Sequence, residues 1–580
     1  MRRLQPPGRL LTVLVALGLV TTSAVPAAAE VDAGGTRPPE SVRLLAKAAA
    51  DECFAGIGVD YPAGPPCAVG QEKVNQSYVW GLAKAGRKLW FGTGANVLCL
   101  KPDGYNVREP ILNDDYACEF ANSQPARQNP ALPANLGDHR PPEVYTYDLA
   151  DEQLTERTAD VTDASPADAA LLRSTAGLRS GAAHRGVVLL AGPSLVAGIN
   201  LFAFDTFTGD YLGSTNLGDY ENIRHFTVAD GVLYAGVGMG TNGGDAGRVL
   251  RWTGDRTNPF AFSVVGDLPT QAADIAAHDG RLYVTTWPKS IVEGAAASLD
   301  TAGTTGADQA ADNNADLGSL WMSPPLADGE PGLTPPDATG WTQVWSPAEY
   351  EPDPVVRRVY AIGGLASYGG HLYWGTMHVP LQATALHVRV YPPKNQEQLA
   401  ATVENTQRAF AVFRGRDFGG AGETVETLYG ESELPAFDPT ANNGVGAWET
   451  TPTGVTPVHG RSGFGDQYNL YAWKMTVAGG RLYIGTMDFA YIALEGEMPA
   501  EPEPGYDAPT FGSDLWSFDA PGRPARAIDK TGFGNPLNQG VRTMVADGST
   551  LYIGMANPMN LRTDPSTHLG GWELHKLTRR

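Results

Sequence analysis

Arg224, His225, Asp274, Lys474 and Arg542 are the residues here best equipped for chemistry, and they occupy matching points of a recurring phrase. Aligned on the Leu of that phrase, one position holds Trp80, Ser180, Arg224, Ala273, Gly363, Trp473 and Arg542. The next holds Gly81, Gly181, His225, Asp274, Gly364, Lys474 and Thr543. Arg357 and Arg358 enter just before the fifth copy. Guanidinium groups grip carboxylate or phosphate in a fork, and indole faces stack on flat apolar surfaces or cations. The expected ligand-binding set is therefore Trp80, Arg224, His225, Asp274, Arg358, Trp473, Lys474 and Arg542, for an anionic or sugar-like ligand. The plainer alternative is a solvated channel in which these groups pair with nearby Asp and Glu.

Other chemistry has less support. His225 with Asp274 could form a general-base pair. His184, His225 and His278 could form a metal set, but His occupies few copies and differing positions, so no metal centre is expected. Asp219, Asn222, Asp466, Asn469, Asn535 and Asn538 offer oxygen ligands for Ca2+, the one candidate cofactor. Asx turns account for them more simply. There is no Gly-x-Ser-x-Gly elbow and no Gly-rich phosphate loop.

The phrase that must position these residues is clearest as Val477-Ala-Gly-Gly-Arg-Leu-Tyr-Ile-Gly-Thr486. Six further copies run from Ala85-Gly-Arg-Lys-Leu-Trp-Phe-Gly-Thr93 to Ala546-Asp-Gly-Ser-Thr-Leu-Tyr-Ile-Gly554. Each reads as strand, Gly turn and second strand, followed by a third such as Asn200-Leu-Phe-Ala-Phe-Asp205. Fourth strands fit at Ala261-Phe-Ser-Val-Val265 and Trp341-Thr-Gln-Val-Trp345. A lone four-stranded sheet cannot bury both faces, whereas radial stacking buries them against neighbours. The expectation is an all-β chain: a seven-bladed β-propeller of four-stranded antiparallel blades over residues 76–580, with the N-terminal segment helping to close the ring. Antiparallel geometry puts the long insertions after the second strands at one rim, and that loop-rich rim is the expected binding face. Residues 290–316 are expected to be disordered, and 379–407 and 490–511 to be loops.

Charge and cysteines bound the rest. The net charge of −22 argues against nucleic-acid binding. Residues 1–29 read as a signal peptide: Arg2, Arg3 and Arg9, an apolar run from Leu10 to Val20, then Ala27-Ala-Ala29. The product is expected to be secreted, monomeric and without a membrane span. Residues 30–75 form an N-terminal segment with a helix candidate from Ser41 to Asp51. Cys53, Cys67, Cys99 and Cys118 all lie near the N-terminus and allow three pairings. Loop length favours Cys53–Cys67 with Cys99–Cys118, in an oxidising compartment. Too few residues follow Leu577 for a fourth strand in the last unit, so Cys67 to Val74 is expected to pair with the 572–577 strand as a clasp.

Gly-x-Leu-Tyr-x-Gly-Thr and Gly-Ser-x-Leu-Trp, with the Phe464-Gly-Asp-Gln-Tyr-Asn469 type of lead-in, resemble secreted bacterial β-propeller repeat proteins, distantly like kelch and sialidase propellers. The resemblance covers roughly residues 75–577 and implies a fold more than a role, since such repeats occur mostly in proteins of unassigned function. The sialidase Asp-box has no complete match here, and Leu201-Phe-Ala-Phe-Asp-Thr-Phe-Thr-Gly209 is a single copy of a motif that quinoprotein dehydrogenases repeat. The leading expectation is a binding protein for a glycan, peptide or cell-surface ligand. The alternative is an extracellular propeller enzyme, a glycoside hydrolase or lyase, with a quinone- or metal-dependent oxidoreductase behind it.

Overall fold

The Leu-aromatic phrase folds as a hairpin because its Gly pair supplies the backbone that a tight turn needs. Asp230 and Gly231 have φ of 50° and 70°, and Asp279 and Gly280 have 46° and 67°. Positive φ at both central residues is the turn whose twist matches paired strands. The Thr that closes the phrase has its own task. Its hydroxyl accepts a hydrogen bond from the start of the third strand: Thr93 from Glu143, Thr376 from Ala411 and Thr486 from Asp514.

The structure is a computed structural model that describes residues 40–579 except 65–66, 101–109, 131, 133, 241–242, 290–315, 327–330, 497–504 and 509. The expected signal peptide and nearly all of the expected disordered stretch lie outside the described residues. Among the described residues, no helix is long and apolar enough to cross a membrane.

The chain is mostly β and builds four-stranded antiparallel units in sequence order. The first unit pairs Gln76–Ala85, Lys88–Ala95, Val144–Asp148 and Gln153–Glu156. The second to fourth units have inner strands Ser180–His184, Asn222–Ala229 and Gln271–His278, each heading its own four-stranded sheet. Ala361–Tyr368 and Asn469–Ala478 head the fifth and sixth units. The seventh pairs Gly540–Asp547, Thr550–Ala556, Glu573–Arg579 and then Glu40–Lys47.

Each unit is buried against the next. Leu282 and Tyr283 show why: one strand presents Leu282 to the core with the third unit and Tyr283 to the core with the fifth. The last core joins Tyr552, Trp572 and Leu574 of the seventh unit to Val79, Leu82, Leu89 and Phe91 of the first, so the units close a circle.

Three expectations for the chain's irregular parts need correction. The helix expected from Ser41 is a strand, because pairing with Glu573–Arg579 overrides its local helix preference. That pairing also moves the clasp. Residues 40–47 complete the last unit, whereas Gln71–Lys73 pairs with Glu52–Phe54 and is held there beside the Cys53–Cys67 bond. The 379–407 loop carries the helices Gln382–Val390 and Gln396–Asn405, and Ala490–Gly496 is helical too. The second disulfide is Cys99–Cys118, and among the described residues no cysteine is free.

Candidate functional site

The inner strand of each unit pairs along one edge and turns its other edge to the axis. In six units that ladder contains one extra residue at the same place. The register skips Trp80 between Val79 and Gly81, Arg224 between Ile223 and His225, Trp473 between Ala472 and Lys474, and Arg542 between Val541 and Thr543. In the fourth unit Ala273 and Asp274 oppose Thr285 alone, and in the fifth Gly363 and Gly364 oppose Gly375. Such bulges re-aim a side chain out of the sheet. Here they aim the aligned ring toward the axis. The second unit has no such shift, and Arg179, just before its inner strand, takes the equivalent place.

The ring is stacked in layers. Tyr78, Trp80, Tyr471 and Trp473 form a floor of edge-on rings with centroids 5.6–6.1 Å apart. Two guanidinium groups lie on that floor and a third lies on Trp287 of the fourth unit. Arg179 sits 4.6 Å from the Trp80 ring centre, Arg542 lies 5.1 Å from that of Trp473, and Arg224 lies 3.4 Å from that of Trp287. Arg179 also donates to Asn222 at 2.6 Å and Arg224 donates to Gln271. Among the described residues, none of the three has a carboxylate within ion-pair distance.

One further layer holds Lys474, which donates to both oxygens of Asp274 at 3.2 and 3.1 Å. Its Nζ also lies 3.2 Å from Nδ1 of His225. Asp274 and His225 are 3.7 Å apart. The His225 side chain is 26 % exposed, but to the cavity rather than to the outer surface.

Burial and crowding set the charges. Burial, then the neighbouring Arg542, lowers Arg179 to about 9. Burial lowers Arg542 to about 10, with Asp274 partly opposing it. Burial and the other two arginines hold Arg224 well below the usual range. Burial and Lys474 bring His225 down to about 3, so its ring is neutral at ordinary pH. Burial also lowers Lys474, against the pull of Asp274. Burial works against ionisation of Asp274, yet Lys474 and His225 hold its carboxyl below the usual value.

Above these layers runs a cavity of about 700 Å3, lined by the later residues of all seven inner strands. Its mouth lies at the inner hairpin turns, where Val228 and Val477 are exposed. At the other end Gln76, Ser77, Gln271, Asn469 and Val541 are all at most 4 % exposed, and the floor is sealed. The insertions leave from that sealed end and none of their residues lines the cavity.

Seven of the eight expected site residues converge here, and Arg358 does not. It lies in the short helix Val356–Val359, near Asp316 and Arg357. Trp80 and Trp473 take another part than expected: they carry the arginines and pack the floor. His278 donates to or accepts from Ser367 and His184 meets Trp252 edge-on, so among the described residues the three histidines form no shared ion site. Asp466 and Asn535 form Asx turns, while Asn469 and Asn538 donate to the buried carboxylates Asp514 and Glu573. Sequence alignment passed over Arg179 because Ser180 holds the aligned position, although an Arg one step away was a readable signal.

No family model and no curated protein matches the chain. Solved structures resemble it at low identity. A polysaccharide lyase is 9 % identical with a TM-score of 0.41, over 93 % of this chain and 99 % of that one. The β-propeller domain of the trilobed protease from Pyrococcus furiosus is 7 % identical with a TM-score of 0.29, over 78 % and 98 %. A luciferin-regenerating enzyme is 10 % identical with a TM-score of 0.28, over 68 % and 88 %.

Proposed function

We propose that the chain is an exported seven-bladed β-propeller that binds an anionic ligand, such as a group on a glycan, a peptide or a cell-surface molecule, in its axial cavity. The observation that carries this is the trio Arg179, Arg224 and Arg542, one buried and two half-buried cations that have no carboxylate partner among the described residues, at the closed end of a cavity. Unpaired buried charge is unfavourable unless something compensates it, and an arriving anion does so. The whole chain is acidic, so a cationic interior also selects which anions enter. The two disulfides fit an extracellular setting. The binding face is then the inner-hairpin end rather than the loop-rich rim.

A saturable rise in melting temperature with added anion tests this. A ligand at about a hundred times its Kd stabilises by roughly 2.7 kcal/mol. Arg224→Met should abolish the rise while keeping the fold. An equal rise in both proteins places binding elsewhere.

The contact of Lys474 with both His225 and Asp274 favours a second reading, a lyase acting on an acidic sugar. A neutral His225 would take the proton beside the carboxylate, the C–H electrons would form the double bond, and the departing sugar oxygen would take a proton from Lys474 as its C–O bond breaks. Asp274 is the one carboxylate in this group, which fits that chemistry better than a two-carboxylate hydrolase. Growth of ultraviolet absorbance on incubation with polyuronate, lost in His225→Ala, would support it. A flat trace rejects it.

A further inference from the structure

We infer that the axial cavity reads the end of a ligand, and that the group it reads is a terminal phosphoryl or sulfuryl monoester. This rests on the anion-binding reading above.

The end-on mode follows from shape. Asp547 at the mouth lies five residue steps beyond Arg542, about 16 Å of extended strand. A cavity of about 700 Å3 over that depth is a shaft, deeper than it is wide. The aromatic floor closes the far side, so a polymer cannot thread through. A charge in the middle of a chain would have to fold double to reach the arginines, whereas a terminal one arrives directly.

The chemical class follows from the number and direction of donors. Arg179, Arg224 and Arg542 come from the second, third and seventh units, so they approach from separate sides. Arg179 and Arg542 share the Trp80 ring, at 4.6 and 6.0 Å from its centre, and all three arginines line the same cavity. A carboxylate offers two oxygens to such a set. A monoester offers three terminal oxygens, one for each fork, and a phosphate carries nearly two negative charges. The local charge sorts within that class: among the described residues three arginines and Lys474 face one carboxylate, Asp274, an excess that a phosphate matches better than a sulfate ester or a carboxylate does.

Isothermal titration at low salt and pH 7 tests both parts, with glucose 6-phosphate, glucose 6-sulfate, glucuronate and dimethyl phosphate as probes. At least one monoester should bind about tenfold or more tighter than glucuronate and than the diester. Arg542→Met should weaken that monoester by about tenfold or more. Arg542→Lys keeps the charge without the fork and should fall between. Arg416→Met, away from the cavity, where a half-exposed Arg416 pairs with Asp417 at 3.8 Å, should bind like the wild type. Glucuronate binding as tightly as the monoesters, and lost in Arg542→Met, would overturn the monoester assignment and leave the anion site standing. Diester binding equal to monoester would overturn the end-on mode. Absence of binding for every probe, with folded variants, would remove both this inference and the reading beneath it.

Discussion

Replacing Glu40 by Ala should loosen the strand that closes the ring. Glu40 begins that strand, on the outer edge of the seventh unit, but its carboxylate reaches into the sixth. It accepts from Arg481, from Tyr483 at 3.1 Å and from Arg526 at 2.9 Å. The Glu40 and Arg481 side chains are only 6 % and 7 % exposed, so this contact is poorly screened. Arg481 keeps Asp519 at 2.9 Å after the change, and Arg526 is half exposed, so the loss stays below that of a fully orphaned buried pair. About 2 kcal/mol is the expected destabilisation. Spread over a two-state unfolding of this length, that is a fall in melting temperature of about 2 °C. Hydrogen exchange is the sharper assay, because residues 40–47 and 573–579 should lose protection before the other units do. Arg43→Ala is the control. Arg43 pairs with Glu152 on the same strand's surface, both are about half exposed, and no shift is expected. If Glu40→Ala leaves melting and exchange unchanged, or Arg43→Ala matches it, Glu40 does not fasten the ring.

Two further outcomes are expected. Burial, then Arg408, lowers His378 to about 3, below its value in the unfolded chain, so its neutral form contributes stability at neutral pH that is lost as pH falls below about 6.5. From pH 7 to 5 that loss is about 2 kcal/mol, and His378→Gln should show a correspondingly smaller fall in melting temperature over the same interval; equal slopes would refute the argument. Removing the Cys99–Cys118 bond, which spans 19 residues, should cost about 3 kcal/mol, and a Cys99→Ser/Cys118→Ala protein that melts like the parent would contradict this.

The units were legible in the sequence because one phrase encodes a whole hairpin: Asp-Gly or Gly-Gly for the turn, Leu and an aromatic for two buried faces, Thr for the third strand. The ring was legible for the same reason, since Arg224, Trp473 and Arg542 stand at a fixed distance from the repeated Leu. The closing strand was not. Glu40–Lys47 has no phrase of its own, and its partner lies more than five hundred residues away. The open end of the cavity was hidden too. Long loops mark a rim in sequence, but only packing shows that Tyr78, Trp80, Tyr471 and Trp473 plug it.

The repeated extra residue in the inner strands separates two kinds of instruction. A residue inside a ladder must satisfy its cross-strand neighbours before it can do anything else. One that stands outside the ladder is released from that first demand. Replacing Arg224 or Arg542 by a neutral side chain would redraw the electrostatic map of the cavity while asking nothing new of the sheets. Other units are less free: Ala273 packs in an apolar core with Trp287 and Met377, and a Cβ on Gly363 would lie 2.3 Å from the Ala472 carbonyl oxygen. The scaffold therefore behaves like a keyboard with some keys free and others locked, on which recognition can be rewritten at the free units without retuning the instrument.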